Sequence, residues 1–164
     1  MLYNKHVIFY NYIFTQKKIF NFIIENATIN DLDRIKYYKL KSIVEYAKNL
    51  SEEEMTKIDN YICKSVPALI KEYKNIIYNK KIIGSILVRK IDEGLLLDEI
   101  FIEKEYRNNG IGSSIIKNYV LDNDDNIYLW VYKDNIKAFN LYKKLGFKIK
   151  EETNSRYYME FQKN

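Results

Sequence analysis

The sequence contains almost no cysteine or histidine. Cys63 and His6 are the only residues of their kinds among 164, so no internal disulfide can form. These two residues, far apart in the chain, are too few for a structural zinc site. A Ser-His-Asp or Cys-His catalytic arrangement would depend entirely on His6, which argues against hydrolysis by those routes. Within its helical pattern, Cys63 is expected to be a small buried side chain rather than a nucleophile.

Long apolar runs are also missing. Residues 1–20 are rich in aromatic and aliphatic side chains, but Asn, Lys, His and Gln interrupt them, and no run approaches the ~20 residues of a membrane span. No small-residue cleavage site follows, which disfavours a signal peptide. We expect a cytoplasmic protein without a membrane partner, in which residues 1–21 form an N-terminal extension. This extension is expected to add a strand or to contact the second subunit of a homodimer.

The charges are nearly balanced and dispersed. There are 27 basic and 22 acidic residues, which gives a net charge of +5. The lysines and arginines are spread along the chain instead of forming a basic arm or stripe, so no nucleic-acid partner is expected. With 47% hydrophobic residues and no linker, residues 22–164 are expected to form one domain with its own core.

Apolar periodicity and turn residues predict an α/β domain with the order βααβββαβαββ. Strands are expected over 22–27, 76–78, 82–88, 95–102, 127–132, 147–150 and 157–161. Helices are expected from a cap at 30–31, from 51, and over 110–121 and 135–145. Ser51 and Glu54 match a capping box, Pro67 predicts a kink or restart near Ser65, and Gly146 is expected to end the last helix.

The strand-to-helix loop at 102–114, IEKEYRNNGIGSS, is the most informative segment. Gly110 and Gly112 open the helix, where glycine lets the backbone approach a ligand closely. Unpaired N–H groups and the helix dipole favour an anion there, so the loop suits a pyrophosphate, with side-chain contacts from Arg107 and Ser113. The segment is neither a Walker motif nor the G-x-G-x-x-G fingerprint. Taken alone, it is also compatible with an ordinary strand-to-helix connection.

A second informative segment covers 129–147, LWVYKDNIKAFNLYKKLGF. Asn135, Ala138 and Tyr142 lie three and four residues apart and so share one helix face. An amide, a small side chain and a phenol are an unusual combination for a face that is simply buried. Because the chain has 16 tyrosines, a structural role is the alternative for Tyr142 when it is considered singly.

Together the two segments resemble the acetyl-CoA motifs of the GNAT superfamily. Residues 102–112 are similar to the pattern V-x-x-x-[YF]-[RQ]-x-x-G-x-[GA], and residues 135–147 to N-x-x-A-x-x-x-Y-x-x-x-G-F. Lys104 stands where proline is usual, and Asn109 where glycine or lysine is common, but a backbone cradle needs neither. The resemblance covers residues 22–161 and implies a mixed, mostly antiparallel central sheet flanked by helices.

The resemblance implies acetyl-CoA as the cofactor, with CoA as the product. The strands at 95–102 and 127–132 would separate and receive pantetheine between them, bonded to the main chain of Ile100 and Ile102. The pyrophosphate would lie on the loop made of Arg107, Asn108, Asn109, Gly110, Ile111, Gly112 and Ser113. Asn135 would support the pantetheine or its phosphate end, and Ala138 would also belong to the cofactor site. Tyr142 would protonate the departing thiolate as a general acid.

The attacking amine must lose a proton, and Asp98 and Glu99 are the candidate bases or ammonium anchors. Carboxylates within an otherwise apolar strand are costly to bury without a purpose. Alternation along the strand is expected to place them on opposite faces, so that only one faces the acceptor, and Glu99 is preferred. A solvated bulge that carries both carboxylates is the alternative.

The resemblance implies an N-acetyltransferase that acts on a primary amine of a small molecule, peptide or protein. Tyr37, Tyr38, Tyr46 and Tyr157 are candidates for the wall of the acceptor pocket. The alternative function is a non-catalytic CoA-binding regulatory domain of the same fold. The presence of Tyr142 and of the two adjacent carboxylates argues against that alternative.

Overall fold

The computed structural model of the chain describes residues 22–47 and 49–163. The extension predicted over 1–21, which includes His6, lies outside these residues. Within them, the strands and helices follow the predicted order βααβββαβαββ, which is thereby confirmed. The elements are β1 (Phe22–Asn26), α1 (Leu32–Val44), α2 (Glu52–Leu69), β2 (Tyr73–Tyr78), β3 (Lys81–Ile91), β4 (Gly94–Ile102), α3 (Ile111–Ile115), β5 (Ile127–Tyr132), α4 (Ile136–Lys144), β6 (Lys148–Glu152) and β7 (Arg156–Phe161).

Helix α2 begins at the predicted capping box. The N–H of Glu54 donates to Ser51 Oγ at 3.2 Å, and the N–H of Ser51 donates to Glu54 Oε2 at 2.8 Å. The predicted restart near Ser65 is wrong, because α2 continues through Pro67 and ends two residues later, so proline interrupts only its last turn. The expected burial of Cys63 is also wrong, since this side chain lies on the exposed face of α2. In the described ranges, no helix is both long and apolar enough to cross a membrane.

The helix predicted over 110–121 is divided in the structure. Helix α3 covers Ile111–Ile115, and a π-helical turn over Ile116–Val120 continues it. Ile115 and Ile116 are both buried in the core, so the change of winding lies at the point of tightest packing. The last helix ends as predicted at Gly146, whose φ of +102° is a left-handed conformation that favours glycine.

The strands form one seven-stranded sheet in the order β1-β2-β3-β4-β5-β7-β6. All neighbours are antiparallel except β4 and β5, which confirms a mixed, mostly antiparallel sheet. Helices α3 and α4 pack on one face, around a core that includes Ile115, Leu129, Val131, Tyr142 and Met159. Helices α1 and α2 pack on the other face, around a second core that includes Ile35, Val66, Tyr73 and Leu87.

The parallel pair β4–β5 is the point where the sheet opens. Only Leu95, Leu96 and Leu97 pair with β5, opposite Ile127, Tyr128 and Leu129. Both strands then continue, β4 to Ile102 and β5 to Tyr132, without further pairing to each other. The sheet is therefore continuous at one end of these strands and split at the other.

Candidate active site

The register between β3 and β4 determines where the main chain of Ile100 and Ile102 points. The N–H of Glu103 donates to the carbonyl of Ile83 at 2.8 Å, so the polar groups of the preceding residue, Ile102, point away from β3. Ile100, two residues earlier in the same strand, shares that direction. Because β5 has diverged by then, these groups face the split in the sheet. An extended ligand can hydrogen-bond there as an added strand would.

The loop after β4 delivers a helix N-terminus to the same end of the sheet. Asn108 and Gly110 adopt left-handed conformations, with φ of 62° and 88°, and these reverse the chain into α3. The first N–H to bond back within the helix is that of Ser114, which donates to the carbonyl of Gly110 at 3.0 Å. The preceding N–H groups, of Ile111, Gly112 and Ser113, are those that a helix leaves available to an anion.

Gly112 provides space at this helix terminus. A Cβ atom placed on Gly112 would meet only Ile102 Cδ1, at 3.4 Å, which is the limit of an ordinary contact. The ligand-free fold therefore does not itself demand glycine at this position. A ligand that approaches the backbone gives a reason for its small size.

The side chain of Arg107 contacts other parts of the protein. Its Nε donates to the carbonyl of Ile102 at 2.5 Å, and its Nη1 lies 2.8 and 2.9 Å from the two carboxylate oxygens of Glu45. Its guanidinium also lies over the ring of Phe101, 5.2 Å from the centroid. Arg107 thus links the end of β4 to the segment that follows α1. The contact with pyrophosphate expected for Arg107 requires its guanidinium to exchange some of these partners.

The face of α4 that carries Asn135, Ala138 and Tyr142 borders β5. Asn135 is the N-cap of the helix, and its Oδ1 accepts the N–H of Ala138 at 3.1 Å, which leaves the amide NH2 group for a ligand. Tyr142 is buried, with its ring edge-on to Phe147 at 5.6 Å. Burial raises the pKa of Tyr142 above its ordinary value, and the nearby phenol of Tyr46 raises it further. Tyr142 is therefore protonated at neutral pH, as a general acid must be.

A β-bulge places Asp98 and Glu99. Leu87 of β3 pairs with Glu99, and the next residue, Val88, pairs with Leu97, so Asp98 is an extra residue in β4. Glu99 contacts α1, and Asp98 contacts Arg89, which also approaches Glu72 at the start of β2. The expectation that alternation separates the two carboxylates is wrong, because the bulge interrupts alternation and both lie on the face covered by α1 and α2.

Glu99 is part of a buried polar cluster. Its Oε2 accepts from Lys39 Nζ at 2.6 Å and from the hydroxyl of Tyr73 at 2.7 Å. Burial, the largest single effect, lowers the pKa of Lys39, but the charge of Glu99 and its hydrogen bond to Lys39, with smaller contributions from Tyr61 and Asp98, together raise it above its ordinary value. The pKa of Tyr73 is raised, first by burial and then by the charge of Glu99. These three groups satisfy one another, so the cluster fixes the Glu99 carboxylate against α1 and β2.

Asp98 is the more accessible of the two carboxylates. Its side chain is 34% exposed, against 14% for that of Glu99. Its partner is the half-exposed guanidinium of Arg89, whose Nη1 lies 3.2 Å from Asp98 Oδ2. A carboxylate that exchanges protons with solvent or substrate needs such access, and Asp98 has it.

A cleft of about 470 Å³ lies beside the split end of the sheet. Its walls come from the segment after α1, the end of β5 and the turn between β6 and β7: Tyr46, Ala47, Tyr132, Lys133, Asp134, Asn154, Ser155 and Arg156. The main-chain N–H of Lys133 donates to the carbonyl of Ser155 at 2.9 Å and so ties the turn to β5. Since Tyr46 lines the cleft and influences the pKa of Tyr142, the buried phenol lies near the cleft.

Of the four tyrosines expected to line an acceptor pocket, only Tyr46 lines this cleft. Tyr37 is 54% exposed on α1, and Tyr38 is buried, with its hydroxyl 2.6 Å from Glu103. Tyr157 packs against Phe139, with 4.9 Å between ring centroids. Tyr132, Lys133 and Arg156 were not identified from the sequence. The sequence feature that could have identified these three residues is their position, since each lies at or next to the end of a predicted strand.

Known proteins resemble this chain in sequence and in fold. The sequence model of the GNAT acetyltransferase domain matches residues 72–149. A probable spermine N(1)-acetyltransferase of Bacillus subtilis subsp. natto (strain BEST195) is 34% identical over 61 residues, which span 34% of this chain but only 40% of that protein.

Solved structures share the fold over most of the chain. PaiA N-acetyltransferase of Thermoplasma acidophilum, in complex with coenzyme A, superposes with a TM-score of 0.69 at 22% identity, covering 87% of this chain and 99% of the other. Arabidopsis thaliana Naa50, in complex with the bisubstrate analogue CoA-Ac-MVNAL, has a TM-score of 0.59 at 23% identity, covering 87% and 99%. At such identities these likenesses establish the fold.

Proposed function

We propose that the chain is an acetyltransferase of the GNAT superfamily, whose domain model matches residues 72–149. We propose further that it transfers the acetyl group of acetyl-CoA to a primary amine by direct attack on the thioester. The observation that carries the proposal is the split between β4 and β5, which leaves main-chain groups of Ile100 and Ile102 directed into an open slot. At one side of this slot, the N-terminus of α3 would bind the anionic part of the donor. At the other side, the cleft would receive the acceptor.

The residues around the slot fit an acetyl-CoA molecule. Main-chain groups of Ile100 and Ile102 would bond the pantetheine, supported by Asn135 and Ala138 from α4. The helix terminus made of Gly110, Ile111, Gly112 and Ser113, with the loop residues Arg107, Asn108 and Asn109, would hold the pyrophosphate. When bound, acetyl-CoA supplies an acetyl thioester. An N–H directed at the thioester oxygen stabilises negative charge that develops there.

Tyr142 is proposed as the general acid that protonates the departing thiolate. Its raised pKa keeps the proton on the phenol until transfer, although the same shift makes release more costly. Its place beside Tyr46 lets it serve a reaction at the inner end of the cleft. Burial excludes bulk water from the phenol, so the proton comes from the protein at that point.

Asp98 is proposed as the group that takes the proton from the amine. Glu99, the residue preferred from the sequence, already accepts hydrogen bonds from Lys39 and Tyr73, and it is the more buried of the two carboxylates. Glu99 is proposed to position the bulge instead, because its bonds to α1 and β2 hold β4 in place at Asp98. Both assignments rest on the exposure and the partners of the two carboxylates.

The acceptor amine is proposed to enter through the cleft between α1, β5 and the β6–β7 turn. Its volume of about 470 Å³ suits a small molecule or the end of a peptide. A cytoplasmic location and a homodimer, both expected from the sequence, are part of the proposal. Size-exclusion chromatography of the full chain with light scattering tests the second.

A CoA-binding domain without turnover is the second candidate function. The observation that favours it is that both carboxylates of the bulge already have cationic partners within the protein, Lys39 and Arg89. A regulatory domain needs the slot but no free base. Binding of CoA combined with the absence of product from any amine would select this candidate.

Two measurements on the full chain test the proposed function. Calorimetric titration with acetyl-CoA, CoA and ATP at one ionic strength measures binding, and thiol release with a panel of primary amines measures transfer. We expect binding of both CoA species, no comparable binding of ATP, and thiol release that depends on an amine. Failure of CoA to bind would contradict both candidate functions, whereas binding without amine-dependent thiol release would contradict only the transferase.

A further inference from the structure

The wall of the proposed acceptor cleft includes both Arg156 and the carboxylate of Asp134. Arg156 lines the cleft at the first residue of β7, and within the described ranges no acidic side chain forms an ion pair with it. Its Nη2 donates to the hydroxyl of Tyr132, and its guanidinium lies 4.2 Å from the centroid of the same ring. These contacts hold the guanidinium against the ring of Tyr132 by stacking and a hydrogen bond, without an ion pair to a carboxylate of the described residues.

The position of Arg156 is fixed before any ligand binds. The N–H of Arg156 donates to Thr153 Oγ1 at 3.0 Å, and the N–H of Thr153 donates to the carbonyl of Arg156 at 2.8 Å, which closes the β6–β7 turn. The ring beneath the guanidinium is supported in turn, since Tyr132 stacks on Tyr46 with 6.2 Å between centroids. A planar guanidinium held in this way presents a preorganised fork to a carboxylate or phosphate.

The other cation of the cleft is already paired. Lys133 Nζ lies 2.7 Å from Glu152 Oε2 and 5.0 Å from the centroid of Tyr157. Lys133 therefore contributes little net charge to a ligand. Arg156 is therefore the side chain in the cleft wall that could bind an anionic group of a ligand.

The carboxylates on this side of the protein are poorly suited to a polycation. Glu45 pairs with Arg107, Asp98 with Arg89 and Glu99 with Lys39. A polyamine would have to displace these internal cations, at a cost in desolvation and lost hydrogen bonds. Asp134, the carboxylate that lines the cleft, also has an interaction within the protein, so a polycation would compete with existing contacts at each of these four carboxylates.

The family resemblance does not decide this point. The matched residues 72–149 include the slot for the acetyl donor but exclude Tyr46 and the turn that carries Arg156. The identity shared with the spermine acetyltransferase is likewise confined to 61 residues. Recognition of the acceptor must be inferred from the cleft itself.

We infer that the acceptor is a small primary amine that carries an anionic group, a carboxylate or a phosphate, which binds Arg156 in the cleft. This inference rests on the proposed function, since it names the substrate class of that site. The anion bound at Arg156 would orient the amine toward the slot. Amines with several positive charges and no anion would be disfavoured acceptors.

Matched amines provide the test. Tyrosine is compared with tyramine, and phosphoethanolamine with ethanolamine, so that each pair differs only in the anion; spermidine is the polycation. We expect kcat/KM for the anionic member to exceed that of its partner about tenfold or more, as a charge-assisted hydrogen bond permits. The two pairs separate a carboxylate from a phosphate as the recognised group.

Variants of Arg156 connect the preference to the cleft. Arg156→Gln should remove most of the preference, because it should raise KM for the anionic acceptor more than KM for the partner that lacks the anion. Arg156→Lys should restore part of the preference. Lys150→Gln is the matched control, because Lys150 is a surface cation of β6 outside the cleft that pairs with Glu160. Thermal unfolding confirms that each variant is folded.

The outcomes separate this inference from the proposed function. Faster transfer to spermidine or tyramine than to the anionic amines, unaffected by Arg156→Gln, would overturn the inference and leave the transferase intact. Thiol release with none of the amines, although CoA binds, would contradict the proposed transferase, and the inference would fall with it. An anion preference that persists in Arg156→Gln would also overturn the inference.

Discussion

Lys39 Nζ and Glu99 Oε2 lie 2.6 Å apart in the interior, where the two side chains are 7% and 14% exposed. The pair joins α1 to β4 beside the bulge. Removing one partner of a buried ion pair leaves an uncompensated charge, so Lys39→Met should lower the free energy of unfolding by about 3–5 kcal/mol in urea denaturation. Lys57→Met is the matched control: its partner Glu53 is on the surface of α2, where such pairs contribute about 0–1 kcal/mol. An equal decrease in the free energy of unfolding in the two variants would show that the buried ion pair stabilises the protein no more than the surface pair.

The two carboxylates of the bulge should respond differently to neutralisation. Asp98→Asn is expected to lower kcat by roughly a hundredfold, the usual scale of general base catalysis, with unfolding little changed. Glu99→Gln is expected to lower stability more and kcat less, because it leaves Lys39 without its partner. Steady-state kinetics and urea unfolding of both variants make the comparison. The reverse order in kcat would return the role of base to Glu99.

Tyr142→Phe should separate chemistry from binding. The change removes only the hydroxyl and leaves the ring packed edge-on to Phe147, so the fold and the affinity for CoA should be retained. Loss of a positioned general acid is expected to lower kcat by about a hundredfold or more. Tyr61→Phe, on the exposed surface of α2, is the control. Unchanged kcat in Tyr142→Phe would exclude the phenol from proton transfer.

Stability should fall at alkaline pH. The folded pKa values of Tyr38, Tyr73 and Tyr142 are raised above the ordinary 10.0, mainly by burial. The contribution of these tyrosines to the free energy of unfolding is complete at pH values below the pKa that they have in the unfolded chain. It is lost as the pH rises above that value, because the unfolded chain then releases protons that the folded chain retains. Urea unfolding from pH 8 to pH 11, at roughly 1.4 kcal/mol per pH unit for each group at most, measures the effect. Tyr73→Phe should reduce the slope above pH 10, and an unchanged slope would contradict the assignment.

Gly112→Asp should weaken CoA binding without unfolding the protein. The added Cβ meets Ile102 Cδ1 at an acceptable 3.4 Å, and a carboxylate in the first turn of a helix is favourable. The same charge repels a pyrophosphate at this terminus, so the dissociation constant for CoA should rise at least about tenfold, as one lost charge-assisted contact would produce. Calorimetry of the variant and of Gly112→Ala separates charge from size. Wild-type affinity in both variants would place the pyrophosphate elsewhere.

The order and type of the elements follow from local patterns in the sequence. The capping box at Ser51 and Glu54 and the strand predicted over 127–132 depend on residues close together in the chain, and the structure has both. The gathering of Gly110, Ile111, Gly112 and Ser113 at one helix terminus also follows from one continuous segment. Such features are predictable because their physical causes are local.

The features that the sequence did not predict have causes in the tertiary structure. The bulge at Asp98 is fixed by the register between β3 and β4. Its sequence signal, two adjacent carboxylates within an apolar strand, left regular alternation and a bulge both open. The partners of Arg107 come from α1 and from the end of β4, and those of Glu99 from α1 and β2. A motif identifies a residue's own segment, whereas these roles depend on which distant segments the fold brings beside it.

The walls of the acceptor cleft come from three short segments, at 46–47, 132–134 and 154–156. The last of these is a compact turn closed by the reciprocal bonds of Thr153 and Arg156, with Asn154 and Ser155 between them. If the cleft receives the acceptor as proposed, exchanging those two residues or inserting a longer turn should change which amine is selected, while the sequence of the donor slot stays the same. The fold is therefore suited to selection from a library of variants. The β6–β7 turn would be randomised, and the donor slot between β4 and β5 would be kept unchanged.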